Sequence, residues 1–235
     1  MLRICFLLMV LICGSAGAAD SIRPVMSWDD YFQALKEEGQ SDAEARAEIA
    51  ESLESLRDMD RAAGADRVGV VAPPFNFDTW INSKALTLEH LRGKVVLVRW
   101  WTDTCPFCAS SAPALRSLHE EYADQGLVVI GVFHPKAGRD DPLDVARVQR
   151  AVDARQFVFP VAIDWDWRKH TLKDWWLTGP KRPATSVTFL LDKQGIIRFV
   201  HPGMEYHEAN GSQDHEICAS DMSLIRASVK RLLAE

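Results

Sequence analysis

Cys105 and Cys108 place two thiols two residues apart, in the run Trp101-Thr102-Asp103-Thr104-Cys105-Pro106-Phe107-Cys108. The apolar run Val95-Val96-Leu97-Val98 before them reads as a buried strand, and residues 109–122 after them as a helix. A strand that ends at Cys-x-x-Cys and turns into a helix sets the first thiol at a helix N-terminus. Unpaired backbone N–H groups and the helix dipole there favour thiolate over thiol. Pro106 suits the first helical position, where its missing N–H costs nothing. Cys108 is near enough to resolve a mixed disulfide formed on Cys105. The pattern points to a redox dithiol. Two other readings stand beside it: half of a zinc site, although no second Cys-x-x-Cys supplies the remaining ligands, and a passive disulfide in an exported protein.

The elements that must position this pair follow from periodicity. Residues 20–66 predict two helices: Trp28, Tyr31, Phe32 and Leu35 form one apolar stripe, and Ser41-Asp42-Ala43-Glu44 reads as a capping box opening the second. Residues 68–71 predict a lead-in strand, 86–91 a helical turn, 95–101 and 127–133 buried strands, and 143–155 a helix. Residues 157–163 predict a strand, 188–191 and 196–200 a hairpin around Asp192-Lys193-Gln194-Gly195, and 222–233 a last helix. A βαβ part followed by a ββα part implies an α/β fold, a mixed central sheet with helices on both faces, preceded by a helical extension. Pro113 should kink the helix after the cysteines.

Residues 1–19 have the layout of a signal peptide: Arg3, an apolar core over 4–12, and the small-residue site Ala16-Gly17-Ala18. That core is shorter than the ~20 residues a membrane span needs. Its removal takes Cys5 and Cys13 and leaves Cys105, Cys108 and Cys218, a pair and an odd thiol rather than a disulfide scaffold. The expected location is periplasmic or otherwise extracytoplasmic. The net charge of −6 argues against a nucleic-acid partner. The expected division is 1–19 signal peptide, 20–66 helical extension and 67–235 main domain, with no cofactor and an open oligomeric state.

Several motifs in series resemble the TlpA/ResA-type thioredoxin-like family: Ala72-Pro73-Pro74-Phe75, then residues 88–98, then Trp101 to Cys108 with Pro113, then the run from Thr188 to Gly195. Thr102-x-Thr104-Cys105 is closer to the thioredoxin-like domain of DipZ-type proteins. The resemblance implies a thioredoxin-like fold with Cys105 attacking and Cys108 resolving, client protein thiols or disulfides as partners, and a membrane protein as electron donor. Trp101, Pro106 and Phe107 would face the client. Thr185 and Ser186 stand where the family has a cis-proline, and a cis bond before a non-proline costs ~2.5–4 kcal/mol, so a trans bond is expected. Ser111 replaces the family's acid after the second cysteine, making Asp103 the candidate carboxylate.

In such a topology the strand ending near Val200 returns to the cysteines, so the segment from His201 to Cys218 should hang beside them. His201 or His207 would then stabilise a thiolate as a cation, or His207, His215 and Cys218 would bind copper or zinc. Four tryptophans, Trp165, Trp167, Trp175 and Trp176, make either a wall of the client groove or a lid over the sheet. The functional expectation is an exported thiol–disulfide oxidoreductase that reduces clients. The alternatives are a copper- or metal-binding protein of this fold and a peroxiredoxin-like peroxidase, the latter because Thr102 precedes Cys105 by three residues.

Overall fold

The computed structural model describes residues 28–57, 62–135, 142–203, 205–209 and 216–235. The leader over 1–19, with Cys5 and Cys13, lies outside them, as does His215. Helices α1 (Trp28–Glu37) and α2 (Asp42–Arg57) come first. The capping box forms: Ser41 N–H donates to Glu44 Oε2 at 2.8 Å, and Glu44 N–H donates back to Ser41 Oγ at 3.3 Å. Leu35 and Ala45 are buried, and the Arg46 guanidinium lies over the Phe32 ring.

Six strands make one mixed sheet: β1 (Thr79–Ile81), β2 (Val95–Trp101), β3 (Leu127–Phe133), β4 (Val161–Ile163), β5 (Thr188–Leu191) and β6 (Ile197–His201), in the order β1-β4-β3-β2-β5-β6. β2, β3 and β4 run parallel, while β1, β5 and β6 are each antiparallel to a neighbour. All seven residues of β2 are buried, which is why this stretch reads as a continuous run rather than an alternation. Pairing Val98 with both Ile130 and Phe189 puts β2 at the centre, with its C-terminal end leading into the cysteines.

Helices α3 (Pro106–Ser110), α4 (Ala112–Tyr122), α5 (Val145–Ala154) and α6 (Glu216–Ala234) complete the chain. Leu115, Leu118, Val148, Val152, Met222, Ile225 and Val229 pack with Val95, Leu97 and Trp101 on one face of the sheet. The opposite face carries Val96, Val98 and Trp100 under Leu172, Trp175 and Trp176, the latter two on a single π-type turn (Lys173–Leu177). Helical segments thus cover both faces, unequally.

Three local differences from the expected elements have physical causes. Residues 68–71 form no regular strand. They run along β6 through Gly69 N–H to Ile197 O, Ile197 N–H to Val70 O and one bridge at Val71, leaving Val68, Val70 and Val71 exposed. The strand expected over 157–163 is confined to Val161–Ile163, after Pro160, and β1 pairs with it although no β1 was expected. The helix after the cysteines breaks into α3 and α4 at Ser111, because Pro113 removes the N–H that would bond Ala109 and crowds its carbonyl.

Asp164 closes β4 inside the aromatic face. Its Oδ2 accepts the Trp100 indole N–H at 3.2 Å and the Leu172 N–H at 2.8 Å. Burial pushes this carboxyl up to about 6 against those two hydrogen bonds and the nearby His170, with Asp78 adding repulsion. The native state therefore holds this proton at pH values where the unfolded chain, with an ordinary Asp near 3.9, has released it. This group's contribution to stability falls as pH rises from about 4 to about 6. Asp164→Asn should remove that slope: urea denaturation should show the variant's stability relative to the parent rising by about 2–3 kcal/mol across the interval. A constant difference would place the titration elsewhere.

Candidate active site

Cys105 is the N-cap of α3 with extended backbone, and Pro106 follows at the first helical position. Cys108 N–H donates to Cys105 Sγ at 3.2 Å, the interaction expected at a helix start. Cys105 is 8% exposed and Cys108 3%, so Cys105 is the more accessible sulfur of the pair. Ser186 Oγ lies 4.0 Å from Cys105 Sγ, and every peptide bond among the described residues is trans.

The pair shares one charge. Burial alone would raise Cys108, but the Cys105 side chain, the Arg99 guanidinium, the Ser186 hydroxyl and the Thr102 backbone bring it down to about 6. Cys105 moves well above the ordinary thiol value through that same hydrogen bond with Cys108, burial, and repulsion from its partner. The two thiols titrate as a unit: one proton leaves early, and the resulting charge is shared between Cys105 and Cys108 across their contact.

The cation behind this shift is Arg99, which the sequence reading missed. It is fully buried on β2, on the face that carries the cysteines. Its Nη1 donates to Thr188 Oγ1 at 3.1 Å, and its guanidinium lies 5.1 Å from the centre of the Tyr206 ring. The available signal was an arginine inside an otherwise apolar strand. His201 is engaged elsewhere: Asp221 Oδ2 stands 3.1 Å from its Nε2, and its ring meets Tyr206 edge-on. His207 is half-buried, with Nδ1 2.8 Å from the Glu208 carbonyl.

Asp103, the candidate carboxylate, is held in an ion pair. Arg147 on α5 donates to its Oδ2 through Nε at 2.7 Å and also through Nη2. Arg155, at the end of the same helix, donates to the carbonyls of Thr102 and Asp103 and stacks over Trp101. Two arginines of α5 therefore hold the loop that delivers Cys105. Trp101 itself is 1% exposed between Phe133 and Phe157, which makes it core rather than client surface. Pro106, Phe107 and Thr185 are half-buried around the thiols. Trp175 and Trp176 are fully buried, so they act as a lid. Trp176 Nε1 also donates to the Ala184 carbonyl at 2.6 Å, bracing the loop that carries Ser186.

The described residues that follow β6, up to residue 209, run beside the dithiol through Tyr206. Tyr206 N–H donates to Ser111 Oγ at 3.1 Å, and the Tyr206 hydroxyl lies 3.2 Å from Thr188 Oγ1. Gly203 has φ of +133°, and a Cβ there would sit 2.6 Å from Ala184 Cβ, so this strap crosses the Ser186 loop where only glycine fits. Cys218 on α6 is buried beside Glu205; burial, then that carboxylate and Asp221, push its thiol up to about 12.

Residues 68–200 match the AhpC/TSA family. The chain belongs to that family. It is 30% identical over 135 residues to the thioredoxin-like protein YneN of Bacillus subtilis, covering 57% of this chain and 71% of YneN. It is 27% identical over 188 residues to protein DipZ of Mycobacterium tuberculosis, covering 74% of this chain and 25% of DipZ. The thiol-disulfide oxidoreductase ResA of Halalkalibacterium halodurans is 32% identical over 84 residues, 36% of this chain and 44% of ResA. The fold is thioredoxin-like. A thioredoxin-like superfamily protein aligns at TM-score 0.52 and 22% identity over 70% of this chain and 96% of its own. A thiol-disulfide isomerase from Corynebacterium glutamicum aligns at 0.54 and 23% over 70% and 97%. The family match starts at residue 68, after α1 and α2.

Replacing Arg99 tests its charge. Arg99→Gln keeps a donor for Thr188 and removes the cation, so the first ionisation of the dithiol should rise by about 1–3 pH units, read from thiolate ultraviolet absorbance. Arg99→Lys should restore most of the shift. An unchanged titration in Arg99→Gln would remove Arg99 from the account.

Proposed function

We propose that the protein is an exported thiol–disulfide oxidoreductase that reduces disulfides in client proteins. The observation that carries this is the Cys105–Cys108 pair at the α3 N-terminus with Arg99 buried behind it. In the forward reaction the dithiol loses its first proton and Cys105 Sγ, the more exposed sulfur, attacks a client disulfide. A Cys105–client mixed disulfide forms, and one client sulfur leaves as thiolate and takes a proton from solvent. Cys108 then gives up its own proton and attacks Cys105 Sγ, releasing the second client sulfur as a thiolate that takes up a proton, and closing the Cys105–Cys108 disulfide. Two electrons pass to the client, and an external dithiol must return them; a membrane-bound donor fills that role.

Pro106, Phe107, Thr185 and Ser186 form the rim that receives the client. Residues 1–19 act as the export signal, residues 20–66 as a helical extension, and 67–235 as the thioredoxin-like domain. Support for export is the pattern of the leader, an apolar core over residues 4–12 followed by the small-residue site Ala16-Gly17-Ala18. Among the described residues, no helix is long and apolar enough to cross a membrane.

Two measurements test this reading. Cys108→Ser, offered a disulfide-bearing protein, should accumulate a mixed disulfide on Cys105, and Cys105→Ser should form none. The reduction potential of the pair should fall nearer about −270 mV than about −120 mV. A potential at the upper end would make the protein a disulfide donor. Peroxide consumption without any exchange activity would instead select the peroxidase alternative, with Thr102, whose hydroxyl bonds Asp103, as its signature residue.

A further inference from the structure

We propose that Glu205, His207 and Cys218 form a site for one zinc-class divalent ion, distinct from the dithiol. One ligand atom from each of the three lies within 4.8 Å of the others. Thiolate, imidazole and carboxylate are the three protein donors zinc takes, and three of them leave a fourth tetrahedral position for water or another ligand. Zinc–sulfur and zinc–oxygen bonds at a tetrahedral angle set the two donors about 3.5 Å apart. Cys218 Sγ and Glu205 Oε1 stand at 3.7 Å.

The support around the three side chains is also of the kind a metal site needs. The His207 Nδ1 contact to the Glu208 carbonyl makes Nε2 the lone-pair nitrogen, the usual outer-shell arrangement for a ligating histidine. Glu205 and His207 flank Tyr206, which is anchored by Ser111, by Thr188 and by Arg99. With Tyr206 held inward, its two neighbours Glu205 and His207 both reach Cys218 on α6. Cys218 belongs to a helix packed into the core through Met222 and Ile225. Glu205 is 2% and Cys218 7% exposed, while half-buried His207 gives an ion its approach from solvent. An ion here would pin the strap beside the dithiol to α6. Of the ligands expected for such a site, His207 and Cys218 come together. Glu205, signalled by its Glu-x-His spacing, joins them.

The experiment uses the protein lacking its leader with Cys105→Ser and Cys108→Ser, so that the dithiol cannot bind metal, and titrates it with cobalt(II) and then zinc. The expected result is one cobalt per chain with a thiolate charge-transfer band, displaced by zinc, and a thermal midpoint that rises with zinc. Adding Cys218→Ser should abolish the band. Adding His207→Ala, which empties no core space, should weaken binding more than about tenfold. No binding in the double-serine protein, or equal binding after either added substitution, overturns the site. The activity reading is judged separately, on the parent dithiol.

Discussion

A guanidinium lies at the middle of the sheet, and much of the active-site side is arranged around it. Arg99 is fully buried on the central strand. Withdrawing a cation from water to such a place costs several kcal/mol unless its surroundings return the interaction. Thr188 from β5 accepts its hydrogen bond, the Tyr206 ring from the strap lies against it, and both cysteine sulfurs feel its charge. Thr188 and Tyr206 also meet each other through their hydroxyls. One charge therefore ties together the strand that launches the cysteines, the neighbouring strand, the strap and the dithiol itself.

How much of this was legible in the chain depends on whether a residue's environment leaves a local trace. β2 and β3 are buried on both sides, so their apolar runs announce them. The cysteine spacing and Pro106 announce the helix start, and Pro113 the break at Ser111. A three-residue strand such as β1 has too short a pattern to stand out, and it forms because β4 offers it an edge. Residues 68–71 have strand-forming side chains but pair irregularly, since β6 ends the sheet there. Arg99 and Glu205 were harder still. Burial of a charged side chain is decided by what folds over it from distant sequence, here Thr188, Tyr206 and Cys218. Trp101 failed for the converse reason: its position next to the cysteines suggested a surface, while Arg155, Phe133 and Phe157 enclose it.

The loop that carries Ser186 shows how one local rule can be exchanged for tertiary contacts. Position 186 is serine rather than proline, with Pro183 three residues earlier, yet Ser186 stands opposite Cys105. Trp176 bonds the Ala184 carbonyl, and Arg182 stacks on the same indole while donating to the Trp176 carbonyl and pairing with Asp66. Gly203 then lets the strap cross over Ala184 at a distance a side chain would forbid. The tryptophan-rich segment, so conspicuous in sequence, thus serves the site from behind. It immobilises the loop that a client must approach.

Arg99 also bears on the direction of electron flow, and magnitude decides how far. Oxidation to the disulfide removes the shared anion while the guanidinium keeps its charge, so Arg99 stabilises the reduced form and raises the potential. A first ionisation near 6 rather than the thiol's 9.0 enlarges the reduced population at pH 7 by roughly tenfold. For a two-electron couple that is about 30 mV. The span between a strongly reducing and a strongly oxidising dithiol protein is about 150 mV. The thiolate effect alone is too small to turn a reductant into an oxidant. The remaining terms are the difference in packing of the disulfide and dithiol forms between Phe107, Ser186 and the α3 N-terminus. These terms, rather than the charge at Arg99, must set the larger part of the potential.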